Sequence, residues 1–424
     1  MDLHGLLCLT EPYASLKLIK TLKQEIVDKF FEEHPLTFDI EKTLASIPER
    51  SLKADAIKAT GFQNTADFIS MGVADMSFKP PEVVLDGLSE EIRQGFFGYY
   101  GGISNYKEAV KNWLKDVHSW EPKTEWIRTA HGLVAAIGTV LRAFTNERDG
   151  IIVFSPVYHS FRKIVHANNR KLIECPMLLN EGKYHLNFDK LESMLTGEEK
   201  MIIFCSPHNP GGRIWSAEEQ QELAYFCKKN QLLLVIDEIH HDLIYPKKRH
   251  VTFPLASGDL FSDFILMTSA TKTFNIAGGL IGNVIIPNDQ LRNKFSRANM
   301  ATGETPNRFG MIMSEKAMKE GQPWVKDLMK YIDKNRDLFD EEINSIPSVK
   351  SMHLEATYLA WVDFSAIGEE ENVIMKKLVA DAKIIANPGS SFGLGGSRFV
   401  RFNLANSREI IKEATNRIKS VFKT

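Results

Sequence analysis

Short apolar runs that alternate with amphipathic helical segments are the feature that most constrains the fold of this chain. Nearly every run is free of polar residues, and each ends in a polar or proline-rich turn. The runs are Ile151–Phe154, Lys171–Cys175, Met201–Cys205, Leu232–Ile236 and Phe264–Met267. Uninterrupted apolar strands joined by helices are typical of a mostly parallel sheet that is buried on both faces.

The length of 424 residues exceeds what one compact core usually holds, so the chain is predicted to form more than one domain. We predict an α/β protein whose large domain has a mostly parallel central sheet flanked by helices, with a smaller C-terminal α+β domain. The predicted parts are an N-terminal extension (1–37), an arm belonging to the small domain (38–80), the large domain (81–320) and the small C-terminal domain (321–424).

Composition argues against several classes of function. A net charge of −2 provides no basis for nucleic-acid binding, and no apolar run is long enough to span a membrane. The four cysteines include no CxxC pair, so neither a metal site nor a redox motif is expected. Few cysteines and the lack of a signal-peptide pattern predict a cytoplasmic protein.

Ligands of parallel sheets bind at the carboxyl ends of the strands, where Lys272 lies, just past the run Phe264–Met267. A desolvated lysine has a lowered pKa and forms a Schiff base with a carbonyl compound. The alternative is a surface lysine in a strand-to-helix turn. The neighbouring hydroxyl residues Ser269 and Thr271 are candidates for phosphate binding.

Polar residues follow two further runs. Asp237 comes after five apolar residues, where a carboxylate requires a partner such as a buried cation, unless it caps a helix. His240 would share its face on a helical turn, or be a core histidine. Asn209 is either an amide donor to a ligand or a turn former before Pro210.

A candidate anion site is formed by Gly132, Leu133 and Val134, whose backbone N–H groups open a predicted helix. Alone this is a weak signal, but with Ser269 and Thr271 it predicts a phosphate cradle.

Two more residues are candidates for ligand contact. Tyr158 follows Ser-Pro-Val at a strand end, where its ring either stacks on a flat ligand or packs in the core. Arg401 interrupts the apolar strand Phe399–Asn403 and needs an anion, for which a substrate carboxylate suits its guanidinium.

From about residue 38 to 422 the chain resembles the pyridoxal 5′-phosphate (PLP) enzymes of fold type I in the class I/II aminotransferase superfamily. Within it, the chain is similar to the MalY/PatB group of cystathionine β-lyase-like C–S lyases. The motifs that carry the resemblance are Val73–Phe78, Phe97–Tyr99, Ser155–Tyr158, Ser206–Arg213, Asp237–His240 and Ser269–Asn275.

The resemblance implies a role for each candidate. Lys272 would hold PLP as an internal aldimine and then move the Cα proton, with Tyr158 stacked on the ring as the second catalytic residue. Asp237 would pair with the pyridine nitrogen, while Asn209 and His240 would contact the phenolate oxygen.

The remaining roles concern the phosphate, the substrate and the assembly. Ser269, Thr271 and the turn of Gly132, Leu133 and Val134 would bind the phosphate, and Arg401 the substrate carboxylate. Tyr99 would reach the phosphate of a neighbouring subunit, which implies a homodimer with shared active sites.

The implied reaction is β-elimination from S-substituted L-cysteines such as cystathionine, which releases thiol, pyruvate and ammonia. The alternatives are a PLP-dependent aminotransferase and, less favoured, a regulatory or partner-binding protein on the same fold. Two residues depart from the family pattern. Leu280 stands where many aminotransferases have a phosphate-binding arginine, and Gly72 where the lyase group usually has tryptophan.

Overall fold

The computed structural model describes residues 47–423, so the predicted extension over residues 1–37 lies outside the described residues. The α-helices are α1 Leu52–Lys58, α2 Glu82–Gln94, α3 Ile103–His118, α4 Leu133–Phe144, α5 His159–Ala167, α6 Phe188–Met194, α7 Ala217–Lys229, α8 Phe253–Ser257, α9 Ala270–Thr273, α10 Asp289–Ala301, α11 Arg308–Glu320, α12 Gln322–Asn344, α13 Glu371–Ala380 and α14 Arg408–Phe422.

The strands form one seven-stranded sheet, one four-stranded sheet and two short pairs. They are β1 Ile69–Ser70, β2 Ile127–Ala130, β3 Gly150–Ser155, β4 Lys171–Pro176, β5 Leu178–Asn180, β6 Lys183–His185, β7 Glu199–Cys205, β8 Leu233–Asp237, β9 Phe264–Thr268, β10 Gly282–Ile285, β11 Lys350–Ser351, β12 Leu359–Asp363, β13 Ile384–Ile385, β14 Asn387–Pro388 and β15 Phe399–Asn403.

The seven-stranded sheet has the order β2-β10-β9-β8-β7-β3-β4, and its strands are parallel except for β10. Strands β3 and β9 are buried along their whole length. The sheet is therefore covered on both faces, and the predicted α/β fold with a mostly parallel central sheet is confirmed.

Strand β10 corrects one expectation from the sequence. The apolar segment 280–286 suggests an edge strand, but β10 lies between β2 and β9 and is antiparallel to both. Gly282 allows this position, because a Cβ atom there would lie 2.5 Å from Cδ2 of Leu133. The missing side chain lets the strand pack against the start of α4.

The parallel register brings the strand ends that carry polar motifs to one edge of the sheet. Cys205 pairs with Asp237, and Asp237 pairs with Met267, so β7, β8 and β9 end side by side. The turns that follow these strands contain Asn209, His240 and Lys272.

The second sheet is antiparallel, with the order β11-β12-β15-β14, and positions Arg401 in one of its two inner strands. Helix α12 packs against α14. Although α12 has 23 residues, its charged residues interrupt every apolar stretch. Within residues 47–423, no helix is both long and apolar enough to cross a membrane.

Candidate active site

Lys272 lies in the single turn α9, directly after β9. Ser269 caps this turn, because its Oγ accepts the N–H of Thr271 at 3.1 Å. The amine donates a hydrogen bond to the carbonyl oxygen of Ala74 at 2.5 Å. Burial lowers the pKa of Lys272 to about 8, so a useful fraction of the amine is neutral near physiological pH.

The segment Val73–Phe78 crosses over this lysine and is fixed by three side chains from distant elements. Asn275 bonds its backbone at distances of 2.8 and 2.7 Å, and Asn403 donates to the carbonyl oxygen of Val73 at 2.7 Å. The hydroxyl of Tyr358 donates to the same Ala74 carbonyl at 3.1 Å. The acceptor of the lysine proton is therefore held in place.

Asp237 is buried at the end of β8, where its Oδ1 accepts the N–H of Ile239 at 3.0 Å. It thus caps a turn rather than the helix that one interpretation of the sequence expected, since residues 239–242 form no helix. Burial also raises its pKa to about 7, so the isolated carboxyl is close to losing its charge. A cation at this position would restore the ionised form, and a protonated pyridine nitrogen is such a cation.

Arg401 is fully buried and bonds Asn209 and Gly72. Its Nη1 donates to Oδ1 of Asn209 at 3.0 Å, and its Nη2 donates to the Gly72 carbonyl at 2.9 Å. Burial lowers its pKa to about 10, which leaves a cation at neutral pH. Its Nε has no hydrogen-bond partner among residues 47–423. The bond to Asn209 occupies that amide's oxygen and leaves its nitrogen as the donor.

His240 is buried beside these groups, and its Nδ1 has no hydrogen-bond partner in the described part of the chain. Burial, followed by the charges of Lys272 and Arg401, lowers its pKa to about 3, so the imidazole is neutral. The helical turn expected at His240 is not formed. Residues 239–242 form successive hydrogen-bonded turns, in which Leu243 N–H donates to the His240 carbonyl at 3.0 Å.

Tyr158 is partly buried at the amino end of α5. Its ring packs edge-on against Phe161, with centroids 5.6 Å apart, in agreement with a packing role. It also lies near enough to Arg401 to raise the pKa of that guanidinium. The tyrosine is therefore at the same edge of the sheet as the other candidates.

The register of β10 brings together the residues of the predicted phosphate cradle. Gly282 pairs with the last residue of β2, and Asn283 with the last residue of β9. The start of α4 and the hydroxyls that follow β9 therefore meet at one edge. Oγ of Ser269 and Oγ1 of Thr271 lie 2.7 Å apart.

The glycine at the start of α4 adopts a conformation that suits an anion site. Gly132 has φ +84°, and a Cβ built there would meet nothing within 4 Å. Leu133 and Val134 open the helix as expected, so their N–H groups belong to its unsatisfied first turn. Open space and free donors together fit a phosphate.

Tyr99 is the one candidate that the structure does not bring to this edge. Its side chain is 90% exposed, in a loop that also exposes Phe96 and Phe97. Within a single chain it contributes nothing to the candidate site.

Sequence reasoning missed Asp75 and Tyr358, although Asp75 lies inside a motif that was singled out. Nζ of Lys53 is 3.2 Å from Oδ1 of Asp75, and the Asp75 charge partly offsets the lowering of the Lys272 pKa by burial. Tyr358 is fully buried against the Ala74 carbonyl. The available signal for Asp75 was its carboxylate within the motif Val73–Phe78, but only the tertiary structure shows that this segment covers Lys272.

A second buried polar group, here called the histidine–carboxylate cluster, also went unrecognised. It consists of His118, Glu238, His241, Asp242 and His250. One ligand atom each of His118, His241 and Asp242 lies within 4.8 Å of the others. The Asp242 oxygens are already bonded, to Trp113 (3.0 Å), His118 (2.7 Å) and Thr273 (2.7 Å), which favours a structural role.

Comparison with known proteins agrees with this arrangement. A mostly parallel sheet, with a lysine and a buried carboxylate at its carboxyl edge, defines the PLP-dependent enzymes of fold type I, and this chain has that fold. The chain belongs to the family described as aminotransferase class I and II, which matches residues 66–418.

Three similar proteins illustrate the relationship. Cystathionine β-lyase PatB of Bacillus subtilis is 35% identical over 357 residues, which are 84% of this chain and 92% of the relative. Crystalline cystalysin from Treponema denticola, which contains PLP, has 35% identity and a TM-score of 0.86 over 89% of this chain and 97% of that chain. A PLP-bound putative aminotransferase from Clostridium difficile 630 has 32% identity and a TM-score of 0.87 over 91% and 100%.

Proposed function

We propose that this chain is a PLP-dependent C–S β-lyase that cleaves S-substituted L-cysteines to thiol, pyruvate and ammonia. The observation that carries the proposal is the set of buried polar atoms left without protein partners around Lys272. Among the described residues these include Nδ1 of His240 and Nε of Arg401, two side chains close enough to Lys272 for their charges to interact. Buried polar atoms are normally bonded, so this set is suited to a polar ligand.

The residues present fit PLP. Asp237 would hold the pyridine nitrogen, His240 and the nitrogen of Asn209 the phenolate oxygen, and Lys272 the carbonyl carbon. The hydroxyls after β9 and the first turn of α4 would hold the phosphate. When bound, PLP supplies an electron sink for negative charge that develops at the substrate Cα.

The protein's own residues bind the substrate and move its protons. Arg401 stays cationic and would pair with the α-carboxylate, which fixes the amino acid beside the lysine. With its pKa lowered to about 8, Lys272 is able to take the Cα proton as a general base. The carbonyl of Ala74, 2.5 Å away, keeps that amine pointed toward the covering segment until substrate arrives.

Transamination remains the second candidate, favoured by the likeness to the C. difficile protein. The test is to incubate cofactor-loaded protein with L-cystathionine and to measure pyruvate and free thiol. Equal amounts of both over many turnovers would support the lyase. Stoichiometric conversion of the cofactor to its amine form by amino acids alone, without pyruvate or thiol, would reject it in favour of an aminotransferase.

The exposed apolar loop supports a homodimer as the working assembly. Phe96 and Phe97 are 62% and 63% exposed, and Phe97 contacts Phe309, with ring centroids 5.9 Å apart. Asn307, at the start of α11, donates to the carbonyl next to Leu280, whose side chain is 56% exposed and adds a further apolar residue near this helix end. Pairing of two copies over this surface would bury it and carry Tyr99 to the partner's phosphate site.

Three described cysteines, Cys175, Cys205 and Cys227, are free and buried. Free thiols agree with a reducing compartment, so we place the enzyme in the cytoplasm.

A further inference from the structure

His159, the first residue of α5, lies at the corner of the site that holds Arg401. Its ring is 4.9 Å from that of Tyr158 and meets Phe392 edge-on at 5.6 Å. The Arg401 guanidinium in turn lies 4.9 Å from the Phe392 ring. One aromatic side chain therefore separates the histidine from the group that would bind the substrate carboxylate.

Within the part of the chain that the structure describes, no hydrogen bond to the protein fixes the His159 imidazole through its Nδ1. Its Nδ1 is buried yet has no hydrogen-bond partner among residues 47–423, while part of the side chain stays accessible to solvent. By contrast, His208 is tied to the carbonyl of Pro156 at 2.9 Å. A histidine that is partly buried, unbonded and in contact with solvent is suited to proton transfer.

Charged groups on two elements face this ring. Burial, Arg401 on β15 and Lys163 on its own helix together lower the pKa of His159 to about 4. A substrate carboxylate paired with Arg401 would remove the effect of one of these cations. Negative charge on a departing sulfur would favour the imidazolium further, so protonation would accompany the reaction.

We propose that His159 is the general acid that protonates the leaving sulfur, an inference that rests on the proposed lyase function. Lys272 takes the Cα proton, and the Cα electron pair forms the Cα=Cβ bond. The Cβ–S bond breaks with its electron pair on sulfur. One ring nitrogen of the neutral His159 imidazole takes a proton from solvent as the N–H of the other nitrogen gives its proton to that sulfur. The products are a thiol and 2-aminoacrylate, which water converts to pyruvate and ammonia, and His159 is again a neutral imidazole.

The test compares leaving groups in the His159→Asn variant, with His166→Asn on the exposed end of the same helix as the matched control. An alkyl thiolate needs a proton, whereas S-(nitrophenyl)-L-cysteine releases a thiolate that is stable without one. We expect kcat/KM to fall about 100-fold for L-cystathionine and much less for the nitrophenyl substrate. Equal losses for both substrates, or no loss, would overturn the proposal and leave Lys272 as the proton donor.

A second measurement does not depend on turnover. In cofactor-free protein labelled with [13C]histidine, the His159 signal is assigned by its absence from the His159→Asn variant. We expect it to titrate below 6.5, and at a higher pH when saturating L-alanine occupies Arg401. A pKa that L-alanine leaves unchanged would contradict the coupling. If wild-type protein released no pyruvate from either substrate, the lyase function itself would fail, a result distinct from equal losses in the variant.

Discussion

Two buried polar groups alternate along the same six residues, Asp237–Asp242, and differ in how their side chains are satisfied. Asp237 and His240 belong to the lysine cluster, defined here as these two residues with Lys272 and Arg401. Glu238, His241 and Asp242 belong to the histidine–carboxylate cluster. Consecutive side chains in a turn point to different sides, so one short segment serves both groups.

The histidine–carboxylate cluster pairs its charges with one another, although Nδ1 of His241 and both ring nitrogens of His250 have no hydrogen-bond partner among residues 47–423. Glu238 accepts from Thr252 at 2.7 Å and from the Phe253 N–H at 2.8 Å. Nε2 of His250 lies 3.3 Å from Oε2 of Glu238. Burial by itself would raise the pKa of Glu238, but His250 and His241 hold it well below its usual range.

In the lysine cluster the pKa values are shifted toward the neutral forms of the side chains. The pKa values of Lys272 and His240 are lowered, and the pKa of Asp237 is raised. Groups that burial discharges are those that lack a partner of opposite charge. The comparison teaches that opposite charges paired with one another mark the scaffold, whereas buried groups shifted toward their neutral forms mark the place of a ligand.

The largest effect is expected from Lys272→Ala, which removes the general base of the lysine cluster. We expect pyruvate release to fall by at least about 10³-fold, with an unchanged circular dichroism spectrum. The exposed Lys228→Ala serves as the control and should keep full activity. Activity within tenfold of wild type would separate Lys272 from the chemistry.

The difference between the two clusters is tested most directly by two substitutions. Asp237→Asn removes a carboxylate from the lysine cluster, and Asp242→Asn removes one from the histidine–carboxylate cluster. We expect Asp237→Asn to lower kcat/KM about 10²-fold without loss of stability in the cofactor-free protein, because its carboxyl is discharged by burial. Asp242→Asn should lower the free energy of unfolding by about 3 kcal/mol. Urea titrations measure the free energy of unfolding of both variants, and pyruvate assays measure their kcat/KM. A stability loss confined to Asp237→Asn, with an activity loss confined to Asp242→Asn, would refute the distinction between the clusters.

The pH dependence of the free energy of unfolding tests whether His241 is charged within the histidine–carboxylate cluster. Burial disfavours charge on His241, yet Asp242 and Glu238 raise its pKa to about 10. Because the folded pKa exceeds the unfolded value of 6.5, this stabilisation is complete below pH 6.5 and is lost as the pH rises through 10. Between pH 6.5 and about 8 the free energy of unfolding should fall by up to about 1.4 kcal/mol per pH unit; above pH 8 Lys272, whose folded pKa of about 8 lies below its usual 10.5, offsets this loss. The slope should flatten in His241→Asn, and an unchanged slope would contradict the assignment.

The smallest effect is expected at Tyr99, which lies outside both clusters within one chain. Tyr99→Phe removes a single hydroxyl that would reach the partner's phosphate site. We expect cofactor affinity to weaken about tenfold, equivalent to about 1.4 kcal/mol. Equilibrium dialysis with PLP measures it, with Tyr225→Phe on an exposed helix face as the control. Equal affinities would argue against the shared site.

Much of the fold was predictable, because apolar runs and helix signals are local. Pro81 suits the first turn of a helix and predicts one from about Glu82 to Gln94, which is the range of α2, and the predicted parallel sheet is the one observed. The position of β10 was not predictable, since it depends on close contact between Gly282 and α4. Domain boundaries stay a prediction.

The candidate site was predictable in part for the same reason. Strand ends point to Lys272 and Asp237, because each follows an apolar run directly. The partners of Arg401 are 192 and 329 positions away in the chain, which no local pattern reveals. Nor does the sequence distinguish His240 from His241, because the direction of each side chain depends on turn geometry.

The central claim is that Lys272 is the residue to which the cofactor is attached. The most direct test is to load the protein with PLP, reduce it with borohydride and map the modified peptide by mass spectrometry. We predict one pyridoxyl group per chain, on Lys272. A pyridoxyl group on another lysine, or no stable modification, would contradict the account.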